Sequence, residues 1–350
     1  MIKLSTPPAL ENLWETSVRV PLEPGDRWVI FSDLHMGDGS RLDDFHRNAE
    51  LFLSALTTYY LPRNFKLLLN GDVEEILRFR LGDIKKYWKQ AYDVFDLFHA
   101  EGRLFKLEGN HDPAREQKGS PYPILPSLTL TTPEGEIFFL HGHQAGRINS
   151  GRYNRFLGAL LKIFANPLGI KNISPAYHKK ARYEIERRVY EFAKEKNLLA
   201  VIGHTHRPLF ESRSKSASLE ARLDVLCRRY ARASSGLKKN LAPMIRFTRL
   251  DWEKHRRANV RDLPNQLYNR EFLLPCLFNS GTILGRGGLT GIEITAKKIR
   301  LVHWADLQKP LSSKVAYEYE TRRIFDGRLT RTVLKKADLN YLFTLIQFLA

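Results

Sequence analysis

The sequence predicts an α/β fold in which buried strands alternate with amphipathic helices. Five short, mostly apolar runs bounded by Gly, Asp or Asn are typical of strands buried on both faces of a sheet. Apolar residues between the first runs recur at helical spacing. The alternation of these two patterns favours a layered architecture, and a polar cluster follows directly after each run.

Five strands are predicted, at residues 28–31, 66–69, 104–107, 137–140 and 198–202. Helical spacing of apolar residues predicts helices within 43–60 and 84–100. The strand pattern resumes at 273–278, and the partial alternation of 291–304 predicts a sheet edge or a hairpin. Residues 338–350 are apolar almost all round, which predicts packing against the body of the protein or a partner.

Charge is distributed very unevenly along the chain. The 350 residues carry a formal charge of +18, but residues 1–150 sum to −4 and residues 151–350 to +22. The excess lies largely in two basic stretches, 147–188 and 207–261, which interrupt the strand–helix rhythm. This asymmetry predicts a chain that handles an anion: nucleic acid, an anionic membrane surface or a phosphorylated small substrate.

Composition excludes several classes of protein. A hydrophobic content of 43% with 20 Phe and 14 Tyr excludes wholesale disorder. Two cysteines, Cys227 and Cys276, exclude a disulfide scaffold and fit a reducing compartment. No apolar run approaches the ~20 residues that span a bilayer. The Pro-rich residues 1–26 lack the pattern of a signal peptide and are predicted to be a lead-in. We therefore expect a soluble, cytoplasmic protein.

The polar clusters that follow the predicted strands contain six of the eleven histidines. In chain order they read SDLH at 32–35, NGDVEE at 70–75, EGNHD at 108–112, HGH at 141–143 and GHTHRP at 203–208. Ligands of open α/β sheets bind at the carboxyl ends of the strands. We therefore expect these five clusters to meet at one edge of the fold.

The residue types in these clusters are those of a metal site. Asp, Asn and neutral His are ligands of divalent Mn, Fe, Zn or Ni, and no thiolate is involved. In a D-x-H or H-x-H pair that leaves a strand, both side chains point to one face because the side-chain period is two. A single cluster of this kind would be weak evidence, but five in this order indicate a shared centre.

The order D-x-H, G-D, G-N-H-D, H-G-H and G-H-T-H resembles the calcineurin-like metallophosphoesterase family. The resemblance covers roughly residues 27–305, apart from the two basic stretches. It implies a four-layer αββα sandwich over residues 1–305, with basic helical insertions at about 147–190 and 207–261. Residues 306–350 would then be a C-terminal extension that packs on the body, a partner or a membrane.

The resemblance also implies two divalent metal ions, most naturally manganese, with Fe, Zn or Ni as alternatives. One ion would be held by Asp33, His35 and His206, the other by Asn110, His141 and His204, with Asp72 bridging both. A metal-bridging hydroxide would attack the phosphorus of a phosphoester or diphosphate. His111 would donate a proton to the leaving oxygen, and Asp112 would orient its imidazole.

Two further cluster residues leave alternatives open. His143 is either an outer group beside the metal or a ligand in place of His141, and we favour His141 because it comes directly after the strand. Glu75 is either a hydrogen-bond partner of a metal ligand or a surface charge at a helix start.

Within the family, the motifs are most similar to those of UDP-diacylglucosamine hydrolase and its relatives. The cues are SDLH, GDVEEIL, an HG motif, an insertion before GHTHRP, and NSG at 279–281. This likeness implies a lipid-linked nucleotide substrate and peripheral contact with an anionic membrane. One difference is that GNHD carries His111 where that hydrolase carries Arg.

Two other functions remain as alternatives. The +10 excess of residues 207–261 would suit a phosphodiesterase or nuclease acting on nucleic acid or nucleotides, although a solvated pair of charged helices explains it equally well. A metal-free scaffold that binds proteins would have lost ligands, whereas all seven predicted positions hold competent side chains.

Overall fold

The computed structural model describes residues 8–146, 179–210, 215–231, 233–259, 274–308, 320–324 and 327–350. Within them, two β-sheets pack against each other and carry helices on their outer faces. This confirms the predicted α/β class and its αββα layering. Of the first basic stretch, residues 147–178 lie outside the described part of the chain.

The larger sheet combines parallel and antiparallel strands. Its parallel part contains β2 (Arg27–Phe31), β3 (Lys66–Asn70), β4 (Leu104–Leu107) and β5 (Ile124–Leu125). Its antiparallel part contains β10 (Leu289–Thr295), β11 (Lys298–Asp306), β12 (Glu320–Ile324) and β13 (Leu329–Asp338). The order across the sheet is β12-β13-β11-β10-β2-β3-β4-β5, so that β10 joins the two parts at β2.

The smaller sheet has the order β1-β6-β7-β8-β9. Its strands are β1 (Val18–Pro21), β6 (Leu128–Thr131), β7 (Glu136–Phe139), β8 (Leu199–Ile202) and β9 (Leu277–Asn279). Only the β6–β7 pairing is antiparallel. The strands β7, β8 and β9 are parallel, so their carboxyl ends lie at the same edge of the sheet.

The helices of the described residues are α1 (Pro8–Glu15), α2 (Ala49–Ala55), α3 (Leu81–Tyr87), α4 (Lys89–Ala100), α5 (Lys179–Glu195), α6 (Lys215–Ala231), α7 (Ser235–Asn259) and α8 (Leu339–Leu349). Helices α2 and α4 cover the larger sheet, and α5 packs against the smaller one. The second basic stretch folds as α6 and α7, which pack against each other.

Alternation along the strands separates two hydrophobic cores. In β2, Trp28 and Ile30 point into the core between the sheets, whereas Val29 and Phe31 point into the core beneath the helices. All four side chains are fully buried. A strand buried on both faces needs a continuous apolar run, which is the pattern that predicted these strands.

Local structure departs from the predictions in three places. The predicted helix within 43–60 consists of a 3-10 turn at Asp44–Arg47, helix α2 and a π-helical turn at Leu56–Tyr60. The helix within 84–100 is divided into α3 and α4. The expected lead-in instead contains α1 and β1, and β1 pairs with β6 through main-chain hydrogen bonds that the sequence does not reveal.

The C-terminal residues continue the larger sheet. Strand β13 pairs with β11 along its length, and α8 follows it directly. Leu342 and Ile346 of α8 are buried in the hydrophobic cluster that contains Trp28 and Ile30, whereas Tyr341 and Phe348 are exposed. The helix is therefore buried on one face only, although its sequence is apolar almost all round.

Candidate metal centre

Five strand ends deliver the predicted ligands to one place. Asp33, Asp72 and Asn110 follow β2, β3 and β4 of the larger sheet, and His141 and His204 follow β7 and β8 of the smaller sheet. Two compact groups result: Asp33 with His35 and His206, and Asp72 with His141 and His204. Within each group the potential ligand atoms lie within 4.8 Å of one another.

The backbone at these strand ends adopts an unusual conformation. Among the predicted ligands, positive φ angles occur at Asp33 (56°), His35 (48°), Asp72 (52°), His204 (61°) and His206 (53°). The left-handed region is unfavourable for residues with a Cβ, at about 1–3 kcal/mol each when strained. Such conformations persist where the surroundings hold them, and they are common at functional sites.

In the first group, imidazole nitrogen atoms and a carboxylate oxygen converge. The Nε2 of His206 lies 3.1 Å from Asp33 Oδ1 and 3.3 Å from His35 Nε2. The other carboxylate oxygen of Asp33 is occupied, because it accepts hydrogen bonds from the Ser32 hydroxyl (2.5 Å) and the His204 amide (3.0 Å). Oδ1 is thus the atom of Asp33 that faces the imidazoles.

Asp72 lies between the two groups. Its Oδ2 is 3.1 Å from His141 Nε2 and 3.8 Å from His35 Nε2, so one oxygen faces a histidine of each predicted ligand set. Its Oδ1 accepts a hydrogen bond from the His111 amide at 2.8 Å. This geometry suits the bridging position that the resemblance implies.

Several of these atoms are buried without a hydrogen-bond partner: Asp33 Oδ1, Asn110 Oδ1 and His141 Nε2. An unsatisfied buried polar atom costs about 1–3 kcal/mol, and three within one predicted ligand set require an explanation. Each belongs to a predicted ligand, and each is an oxygen or imidazole donor that a divalent cation accepts. The donor set therefore fits the metal pair.

Hydrogen bonds on the far side of the rings select the nitrogen that faces the centre. The Nδ1 of His141 lies 2.9 Å from the carbonyl oxygen of Asn70, and the Nδ1 of His35 lies 2.8 Å from Glu75 Oε2. Each Nδ1 therefore carries the proton and donates it, which leaves Nε2 as the ligand atom. Such contacts also fix the orientation of each ring.

Glu75 holds His111 as well as His35. Its Oε1 lies 2.7 Å from His111 Nδ1, and its side chain is only 4% exposed. Of the two interpretations of Glu75, the hydrogen-bond partner is therefore right. The contact leaves Nε2 as the His111 nitrogen that can meet a substrate. The structure thus gives Glu75 the orienting role that the sequence assigned to Asp112.

Asp112 instead shapes the loop after β3. Its carboxylate is fully buried and accepts hydrogen bonds from the amides of Asp72 (2.9 Å), Val73 (2.8 Å) and Gly109 (2.8 Å). It therefore joins the loop of Asp72 to the loop of Asn110. The sequence predicted that Asp112 orients the imidazole of His111, and it did not predict that Asp112 binds the main chain.

Burial and neighbouring charges oppose each other in the centre. Burial would lower the pKa of His111, but the carboxylates of Glu75 and Asp72 outweigh it and raise the pKa to about 10. Burial likewise opposes protonation of His141, and Asp72 raises its pKa to about 9. For His204, burial and the nearby His141 together lower the pKa to about 3.

His143 lies beside the second group. Its ring centroid is 5.5 Å from that of His141 and 6.3 Å from that of His204, and its Nδ1 is buried without a hydrogen-bond partner. Burial and the two nearby histidines hold its pKa well below the usual value. The structure thus puts His141, and not His143, in contact with Asp72.

A buried ion pair between Lys106 and Glu74 was not predicted. The ammonium of Lys106, in β4, contacts both carboxylate oxygens of Glu74 at 2.7 and 2.6 Å, and both side chains are about 2% exposed. Gln117 and Tyr92 complete the hydrogen bonds of the pair. The only signal in the sequence is a lysine inside an otherwise apolar run.

An αββα sandwich with a dinuclear donor set at its strand ends defines a metallophosphoesterase-type protein. The model of the calcineurin-like phosphoesterase family matches residues 27–208. The chain belongs to the calcineurin-like phosphoesterase family. No curated protein matches the sequence significantly.

Solved structures show distant likeness. A Vps29 single mutant from Entamoeba histolytica is 10% identical, with 90% of this chain and 99% of that chain covered and a TM-score of 0.35. A predicted phosphoesterase from Streptococcus pneumoniae is 12% identical, with 89% of this chain and 97% of that chain covered and a TM-score of 0.33. A dimetal phosphatase from Danio rerio is 11% identical, with 53% of this chain and 83% of that chain covered and a TM-score of 0.29.

Proposed function

We propose that this protein is a dinuclear metal-dependent phosphoesterase. The observation that carries the proposal is the convergence of six donor side chains in two compact groups, together with three buried ligand atoms, those of Asp33, Asn110 and His141, that have no hydrogen-bond partner. Asp33, His35 and His206 would hold one ion, Asn110, His141 and His204 the other, and Asp72 would contact both. Two such ions supply Lewis-acid activation of the phosphoester and of water.

The chain itself supplies orientation and a proton. Glu75 fixes the ring of His111 through Nδ1, so that Nε2–H of the imidazolium faces away from the carboxylate. We assign His111 as the donor of a proton to the leaving oxygen, a role typically worth 10²–10⁴-fold in rate. Asp112 contributes by holding the main chain of the Asp72 and Asn110 loops.

A direct test combines metal analysis with turnover. Purified full-length protein should bind close to two equivalents of Mn²⁺ and hydrolyse bis(4-nitrophenyl) phosphate. The Asp72→Asn variant should lose both properties because one carboxylate serves both ions. Near-zero metal together with no hydrolysis by the wild type would instead support the metal-free scaffold.

For the substrate, we propose a lipid-linked nucleotide of the UDP-diacylglucosamine type, cleaved at its diphosphate. The support is the set of motifs shared with that hydrolase, including NSG at 279–281. The acyl chains would bind the basic amphipathic stretch 147–188, of which residues 147–178 lie outside the described residues. With this substrate we propose a cytoplasmic protein in peripheral contact with an anionic membrane. Within the described residues, no helix is long and apolar enough to cross a bilayer.

Nucleic acid is the second candidate, because the α6–α7 helix pair presents exposed basic side chains. Arg229, Lys239, Arg246 and Lys254 are exposed on these two helices. A screen with Mn²⁺ should compare UDP-diacylglucosamine, nucleotides, oligonucleotides and generic esters. Hydrolysis of oligonucleotides that falls steeply with added salt, without hydrolysis of the lipid, would replace our first choice of substrate.

A further inference from the structure

The loop that carries His204 and His206 is held from behind by a glutamate of α5. Thr205, between the two histidines, and Arg207, directly after them, contact Glu186, which is fully buried. The Thr205 hydroxyl donates to Glu186 Oε1 at 2.7 Å, and the Arg207 guanidinium donates to Glu186 Oε2. Residues 204 and 206 thus supply predicted ligands, while residues 205 and 207 anchor the loop to α5.

A second buried residue holds the same loop from β9. The side-chain amide of Asn279 donates to the Gly203 carbonyl and to the Thr205 hydroxyl, each at 2.9 Å. Its main chain pairs with Leu209 in both directions, at 2.8 and 3.1 Å. Asn279 therefore contacts the beginning, the middle and the end of the 203–209 loop.

These contacts form one network, which we call the Glu186–Thr205–Asn279 network. The Thr205 hydroxyl is its centre, because it donates to Glu186 and accepts from Asn279. Thr205 and Asn279 are at most 1% exposed, so water cannot replace either contact at low cost.

The network supplies the constraint that the loop needs. His204 and His206 both have positive φ angles, 61° and 53°, a conformation that a free loop would leave. Neither imidazole has a carboxylate partner on its far side comparable to Glu75 behind His35, among the hydrogen bonds of the described residues. The orientation of the two rings therefore depends on the backbone of the loop.

We infer that Glu186, Thr205 and Asn279 are positioning residues that set the affinity of the centre for its metal ions, through the loop of His204 and His206. The inference rests on the proposed metal ligands. None of the three side chains ligates a metal in this assignment. Because the loop contributes one histidine to each predicted ion, loss of the network weakens both positions.

Two substitutions weaken the network with little change in volume. Thr205→Val removes the hydroxyl and both of its hydrogen bonds, and Thr205→Ser keeps them. Glu186→Gln keeps the shape of the side chain but removes the charge that pairs with Arg207. Each metal-free variant is titrated with Mn²⁺ alone, and the concentration of free Mn²⁺ is measured by electron paramagnetic resonance. We expect Thr205→Val and Glu186→Gln to raise the dissociation constants about 10- to 100-fold, and Thr205→Ser to stay near wild type.

A matched control separates metal affinity from general stability. Glu293 is also buried and pairs with an arginine, Arg331, but in the larger sheet and apart from every predicted ligand. Glu293→Gln should lower the unfolding temperature of the metal-free protein and leave the Mn²⁺ affinity unchanged. Wild-type affinity in Thr205→Val and Glu186→Gln, or an equal loss of affinity in Glu293→Gln, would overturn the inference. A wild type that binds no Mn²⁺ would remove the proposed function itself.

Discussion

The carboxylate of Glu75 lies 2.7 Å from Nδ1 of His111, and its second oxygen lies 2.8 Å from Nδ1 of His35. One buried side chain thus orients both a predicted metal ligand and the proposed proton donor. The ring centroids of the two histidines are only 4.7 Å apart. The predicted metal binding and the proposed proton donation are therefore linked through a single residue.

Glu75→Gln should impair both properties at once. A carboxamide offers one acceptor oxygen, so only one of the two Nδ1–H groups keeps a partner while the other faces an NH₂ donor. We expect Mn²⁺ affinity to fall about 10- to 100-fold, as is typical when the partner of a metal-ligating histidine is lost. Turnover at saturating Mn²⁺ should also fall. The exposed Glu116→Gln serves as the control, and the same kinetics in both variants would contradict this linkage.

His111→Ala should separate turnover from metal binding. The ring is not one of the seven predicted ligands, so both equivalents of Mn²⁺ should remain. We expect kcat to fall about 10²–10⁴-fold, the usual contribution of a positioned proton donor. The measurement is kcat against free Mn²⁺, with the exposed His99→Ala as control. A variant that recovers wild-type kcat at high Mn²⁺ would show that His111 acts on the metals rather than on the leaving group.

The convergence of the ligand clusters was predictable because each cluster follows an apolar run. Asp33, Asp72 and Asn110 leave neighbouring parallel strands, and such strands end at a common edge. The pattern of apolar and polar residues is local, so it is visible in the sequence. The fold class could be predicted for the same reason.

The roles of the acids could not be predicted. Glu75 and Asp112 both lie within three residues of a predicted ligand in the sequence, and only tertiary packing decides which one reaches an imidazole. The same holds for β1, whose residues are mostly exposed and pair with β6 through the main chain. Main-chain pairing and the partners of buried polar groups leave little trace in residue type alone.

Lys106→Met should destabilise the fold strongly. The lysine is buried against Glu74, and removal of one member of a buried ion pair leaves an uncompensated charge, at a cost of about 3–5 kcal/mol. Urea unfolding of the metal-free protein measures this loss. The double variant Glu74→Gln/Lys106→Met should recover part of the stability, because no isolated charge remains.

The exposed pair of Lys89 and Asp93 provides the comparison for Lys106. Its contact distance is similar, 2.7 Å, but the side chains are 76% and 56% exposed. Lys89→Met should therefore cost less than about 1 kcal/mol. Equal losses from Lys89→Met and Lys106→Met would show that burial does not control the strength of these pairs.

Gly109→Ala should disrupt the centre through the backbone, without removal of any ligand. A Cβ at this position would lie 2.1 Å from Asp72 Oδ1 and 2.3 Å from the Asp72 amide nitrogen, so Asp72 must move. Because Asp72 is the predicted bridging ligand, we expect the variant to lose Mn²⁺ binding at both positions. Gly82→Ala is the matched control, because a Cβ in that part of α3 meets no atom within 4 Å. That variant should keep wild-type Mn²⁺ binding and gain up to about 1 kcal/mol of stability, and retention of both Mn²⁺ ions by Gly109→Ala would show that the loop adapts.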